Sequence, residues 1–177
     1  MSRLNWLFWK GAIDVEPILN HPKAKELHSA DTFGGTNEEW RRSKIAWMTS
    51  EKEIQDIIAP FAFEAAKLLD VDINFHNDIQ YTEYHATDKG HYSWHNDVDW
   101  TTDKPTDRKL SLTVQLSDPS EYEGGTFEFS QVEQVPEEAK TKGTVLVFLS
   151  PLDHRVTPVT EGVRKSLVSW YEGPRWR

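Results

Sequence analysis

Apolar positions in the first half of the chain recur with helical spacing. After Ser50, the residues Ile54, Ile57, Ile58, Phe61, Ala65, Leu68 and Leu69 share one face. Ser50 with Glu53 three residues on has the form of a capping box, so the helix is expected to start there. Pro60 falls inside the pattern and should kink or split it, because proline lacks the amide donor and crowds the carbonyl four residues back. A shorter helix is expected over residues 17–27, and Phe33-Gly34-Gly35-Thr36-Asn37 reads as loop.

From about Asp78 the texture changes to short β-like runs separated by turn residues. Strands are expected over 79–84, 92–95, 110–116, 126–129, 144–149, 154–156 and 165–171, with 44–48 an eighth upstream. Thr144-Val145-Leu146-Val147-Phe148-Leu149 is apolar on both faces, so it needs cover on both sides and offers the helices a sheet to pack on. On 110–116, Leu110, Leu112, Val114 and Leu116 share the apolar face, while Ser111, Thr113 and Gln115 form a polar stripe that must find partners inside. Such spacing suggests a barrel or jelly roll. Gly124-Gly125 reads as the turn into 126–129.

Composition narrows this picture. The 177 residues fit one domain, with no repeat, linker or low-complexity tract. No cysteine is present, so any metal must sit on His, Asp or Glu, and a cytoplasmic setting is favoured. The cluster Leu4, Trp6, Leu7, Phe8, Trp9 is broken by Asn5 and ended by Lys10, too short to span a membrane. The net charge of −9, spread along the chain, argues against nucleic acid or an anionic membrane as partner.

Three elements carry chemistry. In His95-Asn96-Asp97 on extended chain, the first and third side chains point the same way and could converge on one metal; alone, such a triplet equally suits a surface or capping role. His154 follows the apolar run and the turn Ser150-Pro151-Leu152-Asp153, which puts it at a strand mouth. Two histidines and a carboxylate make a facial triad with open positions, the arrangement suited to non-haem Fe(II), whereas structural zinc fills its shell with protein ligands. Arg164 and Ser166 share a face if 163–171 is a strand, and an arginine fork beside a hydroxyl can receive a carboxylate; a rim salt bridge is the plainer reading of Arg164 alone. Asp99 is a weaker ligand than Asp97, His85 and His91 read as loop histidines, and His21, His28 and His76 fall in no motif.

In order and spacing, Tyr84 through His95-Asn96-Asp97, Tyr122-Glu123-Gly124-Gly125-Thr126-Phe127-Glu128-Phe129, and His154-Arg155-Val156 leading to Gly162-Val163-Arg164-Lys165-Ser166 and Trp170 resemble the prolyl 4-hydroxylase-like branch of the 2-oxoglutarate/Fe(II) oxygenases. The resemblance runs from about Ile79 to the C-terminus. It implies a mainly β fold with N-terminal helices, a double-stranded β-helix (jelly roll, cupin-like). In that reading 1–177 is a single oxygenase domain, with 1–77 as helical support and 78–177 as catalytic core. It implies Fe(II) held by His95, Asp97 and His154, 2-oxoglutarate held by Arg164 and Ser166 with Tyr84 and Tyr92 lining the pocket, O2 as co-substrate, and ascorbate as a possible addition.

The activity so implied couples decarboxylation of 2-oxoglutarate to hydroxylation of an unactivated C–H bond. The first choice of substrate is a prolyl residue in a peptide or protein, and the runner-up is a free amino acid or other small molecule. Some relatives carry tyrosine where Gln115 stands, which leaves its role open, and the loop Trp100–Arg108 is a lid candidate. A non-catalytic jelly-roll metal module would leave the spacing from His154 to Arg164 unexplained. A zinc hydrolase would leave the deep arginine without a task, and a nucleobase oxygenase would need a basic surface. Oligomeric state is not written in the sequence.

Overall fold

The computed structural model describes residues 3–31 and 37–177, so the loop read over 33–37 lies outside them except for Asn37. In chain order its strands are β1 (Trp6–Trp9), β2 (His28–Ser29), β3 (Arg41–Arg42), β4 (Lys44–Trp47), β5 (Asn77–His85), β6 (His91–His95), β7 (Thr106–Gln115), β8 (Tyr122–Gly124), β9 (Phe127–Phe129), β10 (Val145–Leu149), β11 (His154–Val156) and β12 (Val159–Pro174). The α-helices are α1 (Glu16–Leu19) and α2 (Lys52–Leu69).

Among the described residues, eight strands form a larger sheet in the order β1-β10-β7-β12-β5-β4-β2, with β8 on the flank of β12. Four strands, β3-β6-β11-β9, form a smaller sheet. The pairings are antiparallel. This is the double-stranded β-helix expected from the sequence.

The alternation on β7 decides which side is which. Leu110, Leu112 and Val114 turn outward into the core beneath α2, where Ile54, Ile58, Ala62, Ala65 and Leu69 meet Ile79, Val147 and Leu167. Each large aliphatic side chain buried there contributes roughly 1.5–3 kcal/mol. Ser111, Thr113 and Gln115 turn inward, toward the space between the sheets. β10 is covered on both faces: Val145, Val147 and Leu149 join the helix-side core, while Leu146 and Phe148 pack inside with Phe129.

Several local expectations need correction. α2 is capped by Glu51 without a side-chain hydrogen bond, so the Ser50–Glu53 box does not form. The entry is tied down instead by Thr49, whose Oγ1 accepts from Ile79 N and whose carbonyl accepts from Gln55 Nε2. Pro60 lies within α2 and does not split it. It sits on the exposed side, where water can replace the missing donor, while Ile58 and Ala62 hold the buried face against the sheet.

The helix expected over 17–27 is two short turns, α1 and a 3-10 turn over Pro22–Lys25. The break falls at His21, which is extended before Pro22 and accepts from Lys23 N through Nδ1. The apolar cluster near the start is strand β1, paired with β10. Among the described residues no helix is long and apolar enough to cross a membrane.

Candidate active site

The smaller sheet brings the two histidines together. β11 pairs with β6 so that His154 stands directly opposite His95, and the chain leaving β6 carries Asp97 to the same point, where its amide donates to Ser150 O. Asp97 Oδ1 lies 3.5 Å from His95 Nε2 and Oδ2 lies 3.5 Å from His154 Nε2. One ligand atom from each residue falls within 4.8 Å of the others.

Hydrogen bonding fixes which ring nitrogens face inward. His95 Nδ1 contacts Ser93 O at 2.7 Å and His154 Nδ1 contacts Leu152 O at 2.9 Å. A carbonyl can only accept, so Nδ1 carries a proton in both rings and Nε2 is the nitrogen left to face Asp97. Burial and the neighbouring His154 push the His95 pKa down to about 3, against the pull of Asp97, which keeps the ring neutral. Burial alone would raise the Asp97 carboxyl, but His154, His95 and the Ser111 hydrogen bond outweigh it and hold it below the ordinary value. Two imidazoles with Nε2 turned inward and one carboxylate, gathered at one point, form a donor set suited to a divalent metal with open positions.

The larger sheet supplies the facing wall. Arg164 and Ser166 on β12 are buried and line the same pocket as the triad, with Tyr84 from β5, and Tyr92 from β6 of the smaller sheet completes the lining. The Arg164 guanidinium lies 5.7 Å from the centre of the Tyr84 ring, and no carboxylate of the described residues pairs with it. A buried guanidinium without an anion is costly, so this pocket is built to receive one. Gly125 makes the room: a Cβ there would stand 2.9 Å from Arg164 Cδ and 2.9 Å from Val159 Cγ2.

Tyr92 stacks on His95 with ring centroids 3.5 Å apart, and burial pushes its hydroxyl pKa up to about 12. Phe127 and Phe148 pack on His154. Gln115 does not line the triad's pocket; its Nε2 donates to Tyr122 Oη at 2.8 Å in an adjoining cavity that shares Arg164. Asp99 folds back on its own turn, accepting from Thr101 N and Oγ1. His85 binds Glu83 at 2.6 Å, and His91 contacts Lys89 O and Glu39 O, so neither joins the site. Beside the pocket, an open groove is lined by Trp40, Trp94 and Trp100 with Tyr92 and His95.

Two features escape sequence reasoning. Ser111 was only part of a polar stripe, yet its hydroxyl meets Asp97. Arg41, on the two-residue strand β3, lines the pocket, and nothing in the Arg41-Arg42 dipeptide marks it.

The sequence profile of the 2OG-Fe(II) oxygenase superfamily matches residues 79–172, just over half of the chain. The chain belongs to this superfamily. Fe(II), 2-oxoglutarate and O2 are accordingly its metal and co-substrates, and the two inward-facing imidazoles, the carboxylate and the anion-free Arg164 fit them.

A PKHD-type hydroxylase from Synechococcus sp. (strain CC9902) is 38% identical over 81 residues, covering 46% of this chain and 36% of the relative. Another from Azoarcus sp. (strain BH72) is 34% identical over 108 residues, covering 59% and 45%. The matches thus span less than half the length of these relatives. Among solved structures, a Pseudomonas putida prolyl-4-hydroxylase superposes with a TM-score of 0.72 at 18% identity over 97% of this chain and 93% of its own. A prolyl hydroxylase from Trichoplax adhaerens, solved with a peptide fragment of hypoxia inducible factor, gives 0.73 at 14% identity over 94% and 83%. These two likenesses concern the fold.

Proposed function

We propose that the chain is an Fe(II)- and 2-oxoglutarate-dependent dioxygenase that hydroxylates a prolyl residue in a peptide or protein. The observation that carries the reading is the pairing of the His95-Asp97-His154 cluster with an anion-free Arg164 across one pocket. In this assignment His95 Nε2, Asp97 and His154 Nε2 hold the metal. Arg164 takes the distal carboxylate of 2-oxoglutarate through its fork, Ser166 stands beside it on the same strand face, and Tyr84 and Tyr92 wall the pocket.

When bound, the iron and 2-oxoglutarate supply the oxidising power that turns O2 on an unactivated C–H bond. The protein's own part is positional. Ser93 and Leu152 carbonyls fix the imidazole tautomers, Tyr92 keeps the His95 ring from turning, and the aromatic wall of Phe127 and Phe148 keeps water away from His154.

The tryptophan groove beside His95 supports a peptide substrate, since proline-rich segments in extended form dock on aromatic-lined grooves. The two solved structures of like fold are named as prolyl hydroxylases, one of them in complex with a peptide fragment, which supports the same reading. We read residues 1–177 as one oxygenase domain acting in the cytoplasm, with no role for nucleic acid.

The test is made in two stages. Calorimetry should detect 2-oxoglutarate binding only when Mn(II) or Fe(II) is present, and aerobic incubation with a panel of proline-containing peptides should yield succinate and a product heavier by one oxygen. Binding of 2-oxoglutarate that ignores the metal would sink the reading at its first stage. Oxygen gain on free amino acids and never on peptides would replace the substrate by the small-molecule alternative.

A further inference from the structure

Arg41 is a second buried cation in the pocket, and no carboxylate of the described residues forms an ion pair with it, although Glu38 and Asp88 line an adjoining cavity that it shares. It is 6% exposed, lines the cavity of His95, Asp97 and His154, and stands on the smaller sheet, whereas Arg164 stands on the larger one. Its Nε donates to Ser43 Oγ at 2.8 Å and its Nη2 to Gln80 Oε1 at 2.7 Å; both partners are neutral. The residues between Asp31 and Asn37 that lie outside the described set, Thr32-Phe33-Gly34-Gly35-Thr36, contain no carboxylate.

The position of this charge is specific. The Arg41 guanidinium lies 4.4 Å from the centre of the Tyr92 ring. One face of that ring is taken by His95 at 3.5 Å, which leaves the opposite face for the guanidinium. Arg41, Tyr92 and His95 therefore form one column, and only a single ring separates the guanidinium from a metal-facing histidine. A guanidinium offers five N–H donors, and Ser43 and Gln80 engage two of them.

Charge counting says what is missing. Arg41 and Arg164 bring two positive charges to the pocket and Asp97 one negative. A divalent metal and the 2-oxoglutarate dianion cancel each other, and the distal carboxylate of 2-oxoglutarate is taken by Arg164. One positive charge is left over, on Arg41, in a buried site where an uncompensated charge is costly.

We propose that Arg41 holds a carboxylate of the primary substrate, and so selects substrates that carry one close to the carbon being hydroxylated. The inference rests on the oxygenase reading and adds a substrate class to it. The carboxylate can come from two sources: the α-carboxylate of a free amino acid, or the acidic side chain of a peptide whose neighbouring proline enters the pocket.

The test uses protein loaded with Mn(II) and 2-oxoglutarate under anaerobic conditions, with binding followed by calorimetry and tryptophan fluorescence. The probes come in isosteric pairs. One arm compares the common L-amino acids with their amides, and the other compares N-acetylated, C-amidated proline peptides bearing Asp or Asn on either side of the proline.

In at least one arm the carboxylate member should bind at least about tenfold tighter than its amide; the arm that shows the gap identifies the source. Arg41→Gln should close the gap while leaving 2-oxoglutarate affinity unchanged, and Arg41→Lys should keep part of it. The idea is overturned if no pair discriminates in the wild type, if the gap survives in Arg41→Gln, or if Arg41→Gln loses 2-oxoglutarate affinity instead. Should Arg41→Gln fail to fold, Arg41→Lys carries the test, and a gap in it as wide as the wild type's overturns the idea. Because 2-oxoglutarate binding is measured before any probe is added, failure of the oxygenase reading shows separately.

Discussion

The Ser111 hydroxyl donates a 2.6 Å hydrogen bond to Asp97 Oδ2, the same carboxylate oxygen that lies 3.5 Å from His154 Nε2. Ser111 is fully buried and is itself bonded to Ser150 Oγ at 3.0 Å, so the carboxylate is held from behind. Ser111→Ala changes little volume but frees Asp97 to turn. Divalent-metal affinity should fall by about 10–100-fold with the thermal midpoint nearly kept. A variant with wild-type affinity in a metal titration would mean that Asp97 is oriented by other contacts.

Replacement of the triad itself should be more severe. His95→Ala, Asp97→Ala and His154→Ala should each abolish turnover and sharply weaken metal binding, while circular dichroism stays native. Asp99→Ala is the control, because that side chain is occupied by Thr101. If Asp99→Ala lost metal binding and Asp97→Ala kept it, the ligand assignment would be overturned.

Arg164→Ala should raise the 2-oxoglutarate requirement more than about tenfold, since losing a desolvated charged partner costs about 2–5 kcal/mol. Arg164→Lys should do less damage without being neutral, because an ammonium cannot form the two-pronged contact. Lys165, which points to the other side of β12, should tolerate alanine. Titration of turnover against 2-oxoglutarate distinguishes the two positions, and the opposite ranking would show a register error of one residue.

Gly125 gives an independent probe of the same anchor. Its φ is +56°, and an added Cβ would press on Arg164 Cδ and Val159 Cγ2. Gly125→Ala should lower stability by about 1 kcal/mol or more and also weaken 2-oxoglutarate binding, because the arginine must shift. Loss of stability with unchanged co-substrate affinity would limit the glycine to a backbone role.

Legibility in the sequence tracked regularity. The β7 alternation of Leu110, Leu112 and Val114 with Ser111 and Thr113 announced both the sheet and its inner face, because a half-buried strand has a period of two. The triad and Arg164 are legible because His95 closes β6 two residues before Asp97, His154 opens β11, and Arg164 shares a face of β12 with Ser166, spacings that the ladders fix. β1 was missed because Trp6, Leu7, Phe8 and Trp9 are apolar on both sides, a run without alternation. β2 and β3 have two residues each, too few for any period. Arg41 matters through Tyr92, fifty-one positions later, and no local pattern encodes a contact made only by the pairing of β3 with β6.

The pairing of β1 with β10 has a further consequence, for how this protein should be handled. Val145 to Leu149 are buried throughout, and β1 covers the open flank of that strand, with Trp6 pinned by its indole N–H to Glu133 O. Trimming the first nine residues, or fusing a bulky tag that peels them away, would bare a flat, wholly apolar edge with unpaired amides and carbonyls, which recruits other chains into the sheet. Preparations cut there should aggregate even though every residue of the metal site is still present, and a loss of activity in such material would report clumping of the sheet rather than damage to the chemistry.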